Sequence, residues 1–580
     1  MGIDKPKTIK NAPAKKTSPQ KLASLKNSKK RGKIEYTNRG EQRYIIVLEK
    51  ELENSRNLSE RERLQKAVET TMAAGYQLDR EAFDFLSAIA ATDDPSTVVY
   101  KALQRIEELE EKPLFICKSY LETVLQQPEV IEERIVQPQP QIPEEPSVEP
   151  EETYQYPEAG SVYHPYAKDV ESQINVIEDP TGKLSSNGTM EEFLQYFQDR
   201  FKRLEKLLRQ RMDVKAATPI AEALKSPAKT KLKIIGMVQE KREAKQQLLV
   251  TIEDLQASAT ILVPTNAPEE VHRKAQLLLP DQVICFAVAK TRGNLFLAED
   301  IIFPEVGQKP IRRASEPVYA VLTSDMHVGS IKFNRDAFKR FIMWLNGKYG
   351  NEQMKEIAGH VKYFLVAGDI VDGVGVFPGQ ARELVVRDVH KQYRLALKMI
   401  GQIPEHVEVI ISPGNHDASR KALPQPAISE DFLSTTMGSR KIYSLGNPCM
   451  VSLHNVEVLM YHGRSLDDII GSVPGTDHEH PEKAMKLLMQ SRHLAPIYGG
   501  KTTISPENRD FMVIDRVPDI FHSGHIHVLG YCNHRCVLVM NSGGWQEQTD
   551  YMAKLGLVPT PGKVPIVNLQ TMETTVLSFA

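Results

Sequence analysis

Several features are scarce in this 580-residue sequence, and each scarcity excludes a class of protein. Five cysteines do not make the disulfide framework of a secreted protein, which favours a reducing cytoplasm. No apolar run is long enough to cross a bilayer, and the basic N-terminus lacks the apolar core of a signal peptide. The net charge of −2 gives no whole-chain case for nucleic-acid binding, so such a case depends on local patches. We therefore expect a soluble cytoplasmic protein with no membrane partner.

The chain is too long for one hydrophobic core, and its composition divides it into five segments. Residues 1–41 form a basic arm, with eleven Lys or Arg and one acidic residue in the first 34, which either holds nucleic-acid phosphates or only solubilises the protein. Residues 42–126 have helical apolar spacing and predict a small helical domain. Residues 127–160 are rich in Pro and Glu and predict an extended linker. Two larger domains, 161–315 and 316–580, follow.

The segment 161–315 predicts a helix followed by a β-barrel. Thr189 and Glu192 have the spacing of a capping box, and an apolar stripe follows them. Five strand-like runs with one short helix between the third and fourth, in about 85 residues, then predict an OB-fold. Such folds often bind single-stranded nucleic acid through aromatic faces, but this run contains only Phe286 and Phe296 as aromatics. A structural or interface role is therefore favoured for this barrel.

From Val318 onward, strands and helices alternate and predict an α/β sandwich. Five motifs in this part each follow an apolar strand-like run. They are Asp325-x-His327, Gly368-Asp369-x-x-Asp372, Gly-Asn415-His416-Asp417, His462-Gly463 and Gly524-His525-x-His527. Because strand ends meet at one edge of a sheet, we expect these side chains to lie together. His454, His478, His480 and His493 lie near His462, but only His462 ends an apolar strand and precedes a glycine.

These residue types suit a pair of divalent cations. Two ions about 3.5–4 Å apart need one carboxylate between them and nitrogen and oxygen ligands on each side. We expect Asp325 and His327 to lie on extended backbone, where residues i and i+2 share a face. Mixed His, Asp and Asn ligands suit Mn²⁺, Fe²⁺ or Zn²⁺ better than Mg²⁺ or Ca²⁺, which prefer all-oxygen sites. We expect two Mn²⁺ ions, with Mg²⁺, Fe²⁺ or Zn²⁺ as alternatives.

The order of the five motifs resembles the calcineurin-like metallophosphoesterases. The resemblance implies that Asp325, His327 and His527 hold one metal, that Asn415, His462 and His525 hold the other, and that Asp369 bridges the two. It also implies that His416 is catalytic, stabilising or protonating the leaving oxygen, with Asp372 as its orienting partner.

An OB-fold directly ahead of such a domain resembles the B-subunit family of replicative DNA polymerases. Over roughly residues 160–580 the chain closely resembles the archaeal branch of that family, the small subunits of family-D DNA polymerase, in which the ligands are kept. Gly543-Gly544-Trp545-Gln546 is a further similar segment. The resemblance implies a metal-dependent 3′→5′ proofreading exonuclease acting on single-stranded DNA 3′ ends and paired with a large polymerising subunit. A sliding clamp is a further candidate partner.

Two alternative functions remain open from the sequence. One is a stand-alone phosphoesterase or repair nuclease, although over 300 residues precede the phosphoesterase motifs here. The other is a non-catalytic polymerase scaffold, which would not need the complete ligand set. A smaller question concerns Phe377, in the loop after Asp372, which stacks on a nucleic-acid base or packs beneath its own loop.

Overall fold

The computed structural model describes two compact units, Met1–Tyr156 and Pro157–Ala580. The described residues are 60–73, 77–78, 80–90, 95–107, 115–116, 118, 121, 164–244, 247–433 and 440–580. The predicted arm 1–41 and linker 127–160 lie outside them. Within these ranges, no helix is both long and apolar enough to cross a membrane.

The first unit contains three helices and a pair of very short parallel strands. The elements are α1 (Glu60–Ala73), β1 (Gln77–Leu78), α2 (Arg80–Ala90), α3 (Pro95–Glu107) and β2 (Phe115–Ile116). Helix α3 begins at Pro95, because the fixed φ of proline suits the first helical position and its missing N–H costs nothing there. Buried aliphatic residues from all three helices, including Ala67, Leu86 and Val99, form its core. The bounds 42–126 of the predicted domain stay a prediction.

The second unit opens with strand β3 (Ile174–Glu178) and the long helix α4 (Met190–Arg209). The predicted capping box is confirmed: the Glu192 amide donates to Thr189 Oγ1 at 3.3 Å, and the Thr189 amide donates to Glu192 Oε2 at 3.0 Å. The apolar stripe is buried at Phe201 and Leu204, whereas Leu194 is 61% exposed.

A buried ion pair joins α4 to the C-terminal part of this unit. The Arg200 guanidinium donates from Nε to Asp510 Oδ2 at 2.7 Å, and both side chains are fully buried. His493 Nε2 lies 2.8 Å from the same carboxylate oxygen. Arg200 also donates to the carbonyl of Pro496 at 2.8 Å and to the Tyr196 hydroxyl at 3.0 Å. Because both charges are buried, loss of either partner would leave the other uncompensated, at a cost of about 3–5 kcal/mol.

A closed five-stranded barrel follows α4, as the run pattern predicts. Its strands are β4 (Lys231–Ala244), β5 (Gln247–Glu253), β6 (Ser258–Val263), β7 (Val283–Lys290) and β8 (Leu295–Ile302), paired in the order β4-β5-β6-β8-β7. Helix α5 (Ile220–Lys225) precedes the barrel, and α6 (Glu269–Gln276) joins β6 to β7. Phe286 and Phe296 are fully buried in the barrel core, so neither offers a stacking surface for a base.

The rest of the unit is built on two six-stranded sheets. The first, ordered β12-β11-β10-β9-β18-β19, contains β9 (Tyr319–Thr323), β10 (Val361–Ala367), β11 (Glu408–Ser412), β12 (Ile442–Ser444), β18 (Lys563–Asn568) and β19 (Thr574–Ser578). The second, ordered β16-β17-β15-β14-β13-β3, contains β13 (Cys449–Leu453), β14 (Val456–Met460), β15 (Ile520–Ser523), β16 (Leu529–His534), β17 (Val537–Ser542) and β3.

The two sheets share one hydrophobic core, and helices cover their other faces. Leu322 and Leu365 from the first sheet meet Val458 and Met540 from the second in this core. The outer face of the first sheet packs on α7 (Arg335–Leu345), α8 (Glu352–His360) and α9 (Val389–Ile400), and that of the second on α11 (Leu466–Ser472) and α12 (Pro481–Ser491). This unit also contains two short α-helices, α10 (Glu430–Leu433) and α13 (Asp550–Lys554), and two 3-10 helices, Tyr166–Lys168 and Gln380–Arg382. This is the predicted α/β sandwich, with its inner strands apolar on both sides.

Candidate metal centre

The nine predicted site residues lie together just beyond the carboxyl ends of five strands. The strands β9, β10, β11, β14 and β15 end two or three residues before the first predicted site residue of each motif. Strands β9, β10 and β11 are parallel neighbours in one sheet, and β14 and β15 are parallel neighbours in the other. The fold therefore brings motifs that are up to 200 residues apart, such as those of His327 and His527, into contact.

The backbone at three of these motifs is left-handed instead of extended. Asp325 and His327 have φ of 50° and 51°, Asp369 has 53°, and His525 and His527 have 72° and 60°. The expectation that Asp325 and His327 share a face of an extended strand was wrong, because β9 ends before them and each adopts the left-handed region. Such conformations cost about 1–3 kcal/mol each and are retained where the surrounding structure and function require them.

At two of the motif glycines there is no room for a side chain. A Cβ on Gly414 would lie 2.2 Å from Asp369 Oδ1, and one on Gly524 would lie 2.4 Å from Asp325 Oδ2. The carboxylates therefore approach the neighbouring backbone more closely than any other residue allows.

Asp325, His327 and His527 form the first group of metal-binding side chains. The Nε2 atoms of His327 and His527 lie 3.1 Å apart, and His527 Nε2 lies 3.3 Å from Asp325 Oδ1. That oxygen is buried and has no hydrogen-bond partner. Because an unsatisfied buried carboxylate oxygen facing two imidazole nitrogens is costly on its own, this donor set fits a shared cation.

Asp369, His462 and His525 form the second group, and Asn415 adjoins it. His462 Nε2 lies 3.2 Å from Asp369 Oδ2 and 3.1 Å from Asn415 Oδ1. The same Asp369 oxygen lies 3.7 Å from His327 Nε2 in the first group. One carboxylate oxygen therefore faces histidines of both groups.

Hydrogen bonds fix which ring nitrogen three of these histidines present to the centre. His462 Nδ1 lies 2.8 Å from the carbonyl oxygen of Ala367, His327 Nδ1 lies 2.9 Å from Asp372 Oδ1, and His525 Nε2 lies 3.2 Å from Asp467 Oδ2. Each contact occupies one nitrogen and leaves the other for a ligand. The sequence reasoning missed Asp467. The only sequence signal for it is an acidic residue five positions after His462, at the start of α11.

Asp372 contacts both His327 and His416, but through different atoms. Its carboxylate meets His327, while His416 Nδ1 lies 2.7 Å from its backbone carbonyl and 4.0 Å from its carboxylate. The expected partnership with His416 is therefore made by the backbone. The carboxylate is held by Gln380 and Gln546, which donate to it at 2.9 and 3.2 Å. Gln546 belongs to the segment that resembled the polymerase family in sequence.

Asp417, the last residue of its motif, ties two of the site loops together. Its carboxylate accepts from the amides of Ile370 and Gly414 at 3.2 and 2.9 Å and from the Tyr393 hydroxyl at 2.9 Å. Burial and the nearby Asp369 carboxylate raise the pKa of Asp417 to about 6. Its place in the motif was visible in the sequence, but these contacts were not.

The histidines of the centre hold its two carboxylates in their ionised form. Burial alone would raise the pKa of Asp325, but His527 and His327 outweigh it and hold that pKa well below its usual range. Asp369 is likewise kept ionised, because His462, His416 and His327 outweigh its burial. Burial lowers the pKa of His416 to about 4, although Asp369 opposes this. At neutral pH the carboxylates are charged, and His416 is neutral.

The sequence of the chain is similar to subunits of DNA polymerases. Residues 321–527 match the family of the B subunits of DNA polymerases alpha and epsilon. The chain is 39% identical over 406 residues to a "DNA polymerase II small subunit" of Methanocaldococcus jannaschii, covering 70% of this chain and 68% of that one. It is 40% identical to the protein of the same name from Archaeoglobus fulgidus, covering 68% of this chain and 78% of that protein. It is 33% identical over 529 residues to the protein of the same name from Halobacterium salinarum, covering 89% of this chain and 99% of that protein.

Proposed function

Since this chain belongs to the family of DNA polymerase II small subunits, we propose that it is the 3′→5′ proofreading exonuclease subunit of a replicative DNA polymerase. The reaction is hydrolysis of the terminal phosphodiester at a DNA 3′ end. The observation that carries this proposal is the position of Asp369 Oδ2, which faces His462 at 3.2 Å and His327 at 3.7 Å.

That position supports a two-cation site in the manner of calcineurin-like phosphoesterases. Asp325, His327 and His527 would hold one cation, Asn415, His462 and His525 the other, and Asp369 both. The mixed donors favour Mn²⁺, with Mg²⁺, Fe²⁺ or Zn²⁺ as alternatives. When bound, such a pair of cations lowers the pKa of water and neutralises the charge that develops on a phosphate under attack.

The residues of this chain then act on the leaving oxygen. The contact of His416 Nδ1 with the carbonyl of Asp372 leaves its Nε2 to face the substrate. An anionic phosphate beside this ring favours its protonated form, so that Nε2 donates a proton to the departing 3′ oxygen of the shortened strand. The carboxylate of Asp372 orients His327 meanwhile, and Asp467 orients His525.

The complete site argues against a non-catalytic scaffold. A docking role alone requires neither a strained backbone at five ligand positions nor the close approach of Gly414 to Asp369. These features cost stability, and metal-dependent chemistry gives them a function.

The proposal includes a large polymerising subunit as partner and single-stranded DNA 3′ ends as substrate. We propose the same five segments as from the sequence, with the closed barrel as the OB-fold. Their bounds are 1–41, 42–126, 127–160, 161–315 and 316–580. The barrel and the adjoining face of the phosphoesterase domain are the proposed surface for the large subunit. A sliding clamp remains a further proposed partner.

The experiment uses a 5′-labelled primer with a mismatched 3′ end in Mn²⁺, incubated with the full chain or with the Asp369→Ala variant. Stepwise shortening by the wild type alone is expected. If neither protein shortens the primer, the assay is repeated with the complex copurified with its large subunit, and failure there would refute the exonuclease. Whether a large subunit copurifies with the chain is tested separately, and its absence from a preparation made from the native cell would instead favour a stand-alone nuclease.

A further inference from the structure

The loop from Gly373 to Gly379 is fixed beside His416. The Gly373 amide donates to Gln392 Oε1 at 2.9 Å, and a Cβ on Gly373 would lie 2.3 Å from the His416 carbonyl oxygen. At the other end, buried Gln380 donates to the carbonyl of Asp372 at 2.8 Å and accepts from the Val376 amide at 2.9 Å. Both ends of the loop are therefore anchored in the site itself.

The apolar side chains of this loop lie outside the hydrophobic clusters of the described residues. Val374 is 49% exposed, and Phe377 is half-buried. Phe377 belongs to none of the hydrophobic clusters formed by the described residues. Its ring meets the edge of the His416 ring, with centroids 6.2 Å apart and planes at 64°. The contact found for this ring is therefore with His416, and packing beneath the loop stays the alternative that the experiment below tests.

Two exposed arginines, Arg382 and Arg387, continue along the chain from this loop. Cations of this kind attract a phosphate backbone, while an aromatic face receives a base of any identity. An anchored aromatic ring followed by exposed cations is thus suited to a nucleic-acid strand with unstacked bases.

We propose that Phe377 is the stacking surface for the base of the penultimate nucleotide, the one that becomes the new 3′ end after cleavage. This inference rests on the proposed function, in which His416 faces the leaving 3′ oxygen. Because that oxygen belongs to the penultimate nucleotide, a ring in contact with His416 lies on the side of its base. Stacking there holds the frayed strand with the scissile phosphate over the centre and independently of sequence.

The test compares the full chain with Phe377→Ala on three 5′-labelled single strands, one normal, one abasic at the terminal nucleotide and one abasic at the penultimate nucleotide. On the normal strand, Phe377→Ala is expected to lower kcat/KM roughly 10- to 100-fold, as loss of one base–aromatic contact does. The same loss is expected with the terminal abasic strand. With the penultimate abasic strand, the wild type is already slowed and the substitution adds no further loss.

Two matched variants separate stacking from loop structure. Phe377→Trp keeps an aromatic face and should retain activity, whereas Phe377→Leu keeps apolar volume and should behave like Phe377→Ala. Equal losses on all three strands would show a structural role and overturn the proposal. A loss that disappears only with the terminal abasic strand would place the ring on the other side of the scissile bond and also overturn it.

A binding readout keeps this inference separate from the exonuclease itself. A strand with 2-aminopurine at the penultimate position should lose fluorescence on binding to the wild type and to Phe377→Trp, but not to Phe377→Leu. If no strand is cleaved, even by the copurified complex, the proposed function fails, and this quenching still decides whether Phe377 stacks on that base. Equal quenching in all variants would refute the contact.

Discussion

His327 Nδ1 lies 2.9 Å from Oδ1 of Asp372, while His416 makes its hydrogen bond with the backbone carbonyl of the same residue. The carboxylate therefore serves a proposed metal ligand, and the carbonyl serves the proposed proton donor. Because a side-chain substitution removes the first contact and leaves the second, the two roles can be separated by experiment.

We expect Asp372→Asn to weaken metal binding, because an amide orients His327 less strongly than a charged acceptor. Loss of such a supporting contact lowers metal affinity about 10- to 100-fold. Titration of the metal-free protein with Mn²⁺ by calorimetry measures this. The wild-type protein and His416→Ala serve as references. Unchanged Mn²⁺ affinity together with a large loss of cleavage would show that the Asp372 carboxylate orients His416 and not His327.

His416→Ala should have the opposite pattern. The ring is in edge contact with His327, with centroids 4.6 Å apart, and it clusters with His327 and Asp372 outside the two groups of proposed ligands. We expect both metals to remain and cleavage to fall about 10²- to 10⁴-fold, as removal of a general acid does. Elemental analysis and the primer assay on the same preparation give both values. Loss of one metal in this variant would contradict the assignment.

Asp467→Asn should weaken binding at the second group. Asp467 Oδ2 lies 3.2 Å from His525 Nε2, and its carboxylate is kept ionised because His525, His478 and Arg464 outweigh its burial. We expect the affinity for one of the two ions to fall about 10- to 100-fold, so that the Mn²⁺ titration shows two separate binding steps. Asp336→Asn, an exposed change in α7, is the matched control and should bind like the wild type. Equal behaviour of the two variants would exclude Asp467 from the site.

The order of the motifs was sufficient to predict which residues meet, because residues at the ends of neighbouring parallel strands must converge. Among the five histidines near the fourth motif, the end of an apolar strand together with the following glycine selected His462, and the structure places His462 at the centre. His454 instead lies 2.6 Å from the Tyr363 hydroxyl, and His493 contacts Asp510.

The backbone and the supporting contacts could not be predicted in the same way. The left-handed conformation of Asp325 is imposed by its neighbours: its amide donates to Gly368 at 2.9 Å, and its carbonyl accepts from Trp545 at 3.0 Å. The pair Arg200–Asp510 spans 310 residues. Contacts of this range leave no periodic pattern in a single sequence.

Acid should destabilise the protein partly through His493. Burial and the nearby Arg200 lower the pKa of His493 to about 4, compared with about 6.5 in an unfolded chain. Between these values the unfolded state binds more protons, so stability is fully present above pH 6.5 and is lost as pH falls toward 4. The loss at pH 5 is about 2 kcal/mol. His493→Gln keeps a donor for Asp510 but does not titrate.

Urea unfolding of the metal-free protein, followed by the fluorescence of Trp344 and Trp545, gives the free energy of unfolding at pH 7.5 and pH 5. We expect the wild type to lose about 2 kcal/mol more than His493→Gln over this interval. Both tryptophans lie in the same unit as the ion pair, so the signal reports on its unfolding. Equal losses in the two proteins would show that His493 is not kept neutral by the fold.

Gly414→Ala tests whether the metal centre depends on close approach of the backbone to Asp369. A Cβ at this position would lie 2.2 Å from Asp369 Oδ1 and 2.6 Å from the Asp369 amide nitrogen, so the carboxylate must move. We expect both metals to bind more weakly, because the displaced oxygens belong to the residue that faces both groups. Overpacking should also lower the free energy of unfolding by about 1–3 kcal/mol.

Gly471→Ala is the matched control: its Cβ meets nothing within 4 Å, and within α11 the change should be neutral or stabilise by up to about 1 kcal/mol. If Gly414→Ala binds two Mn²⁺ ions with wild-type affinity in the same titration, Asp369 does not hold both cations in the position that the fold gives it.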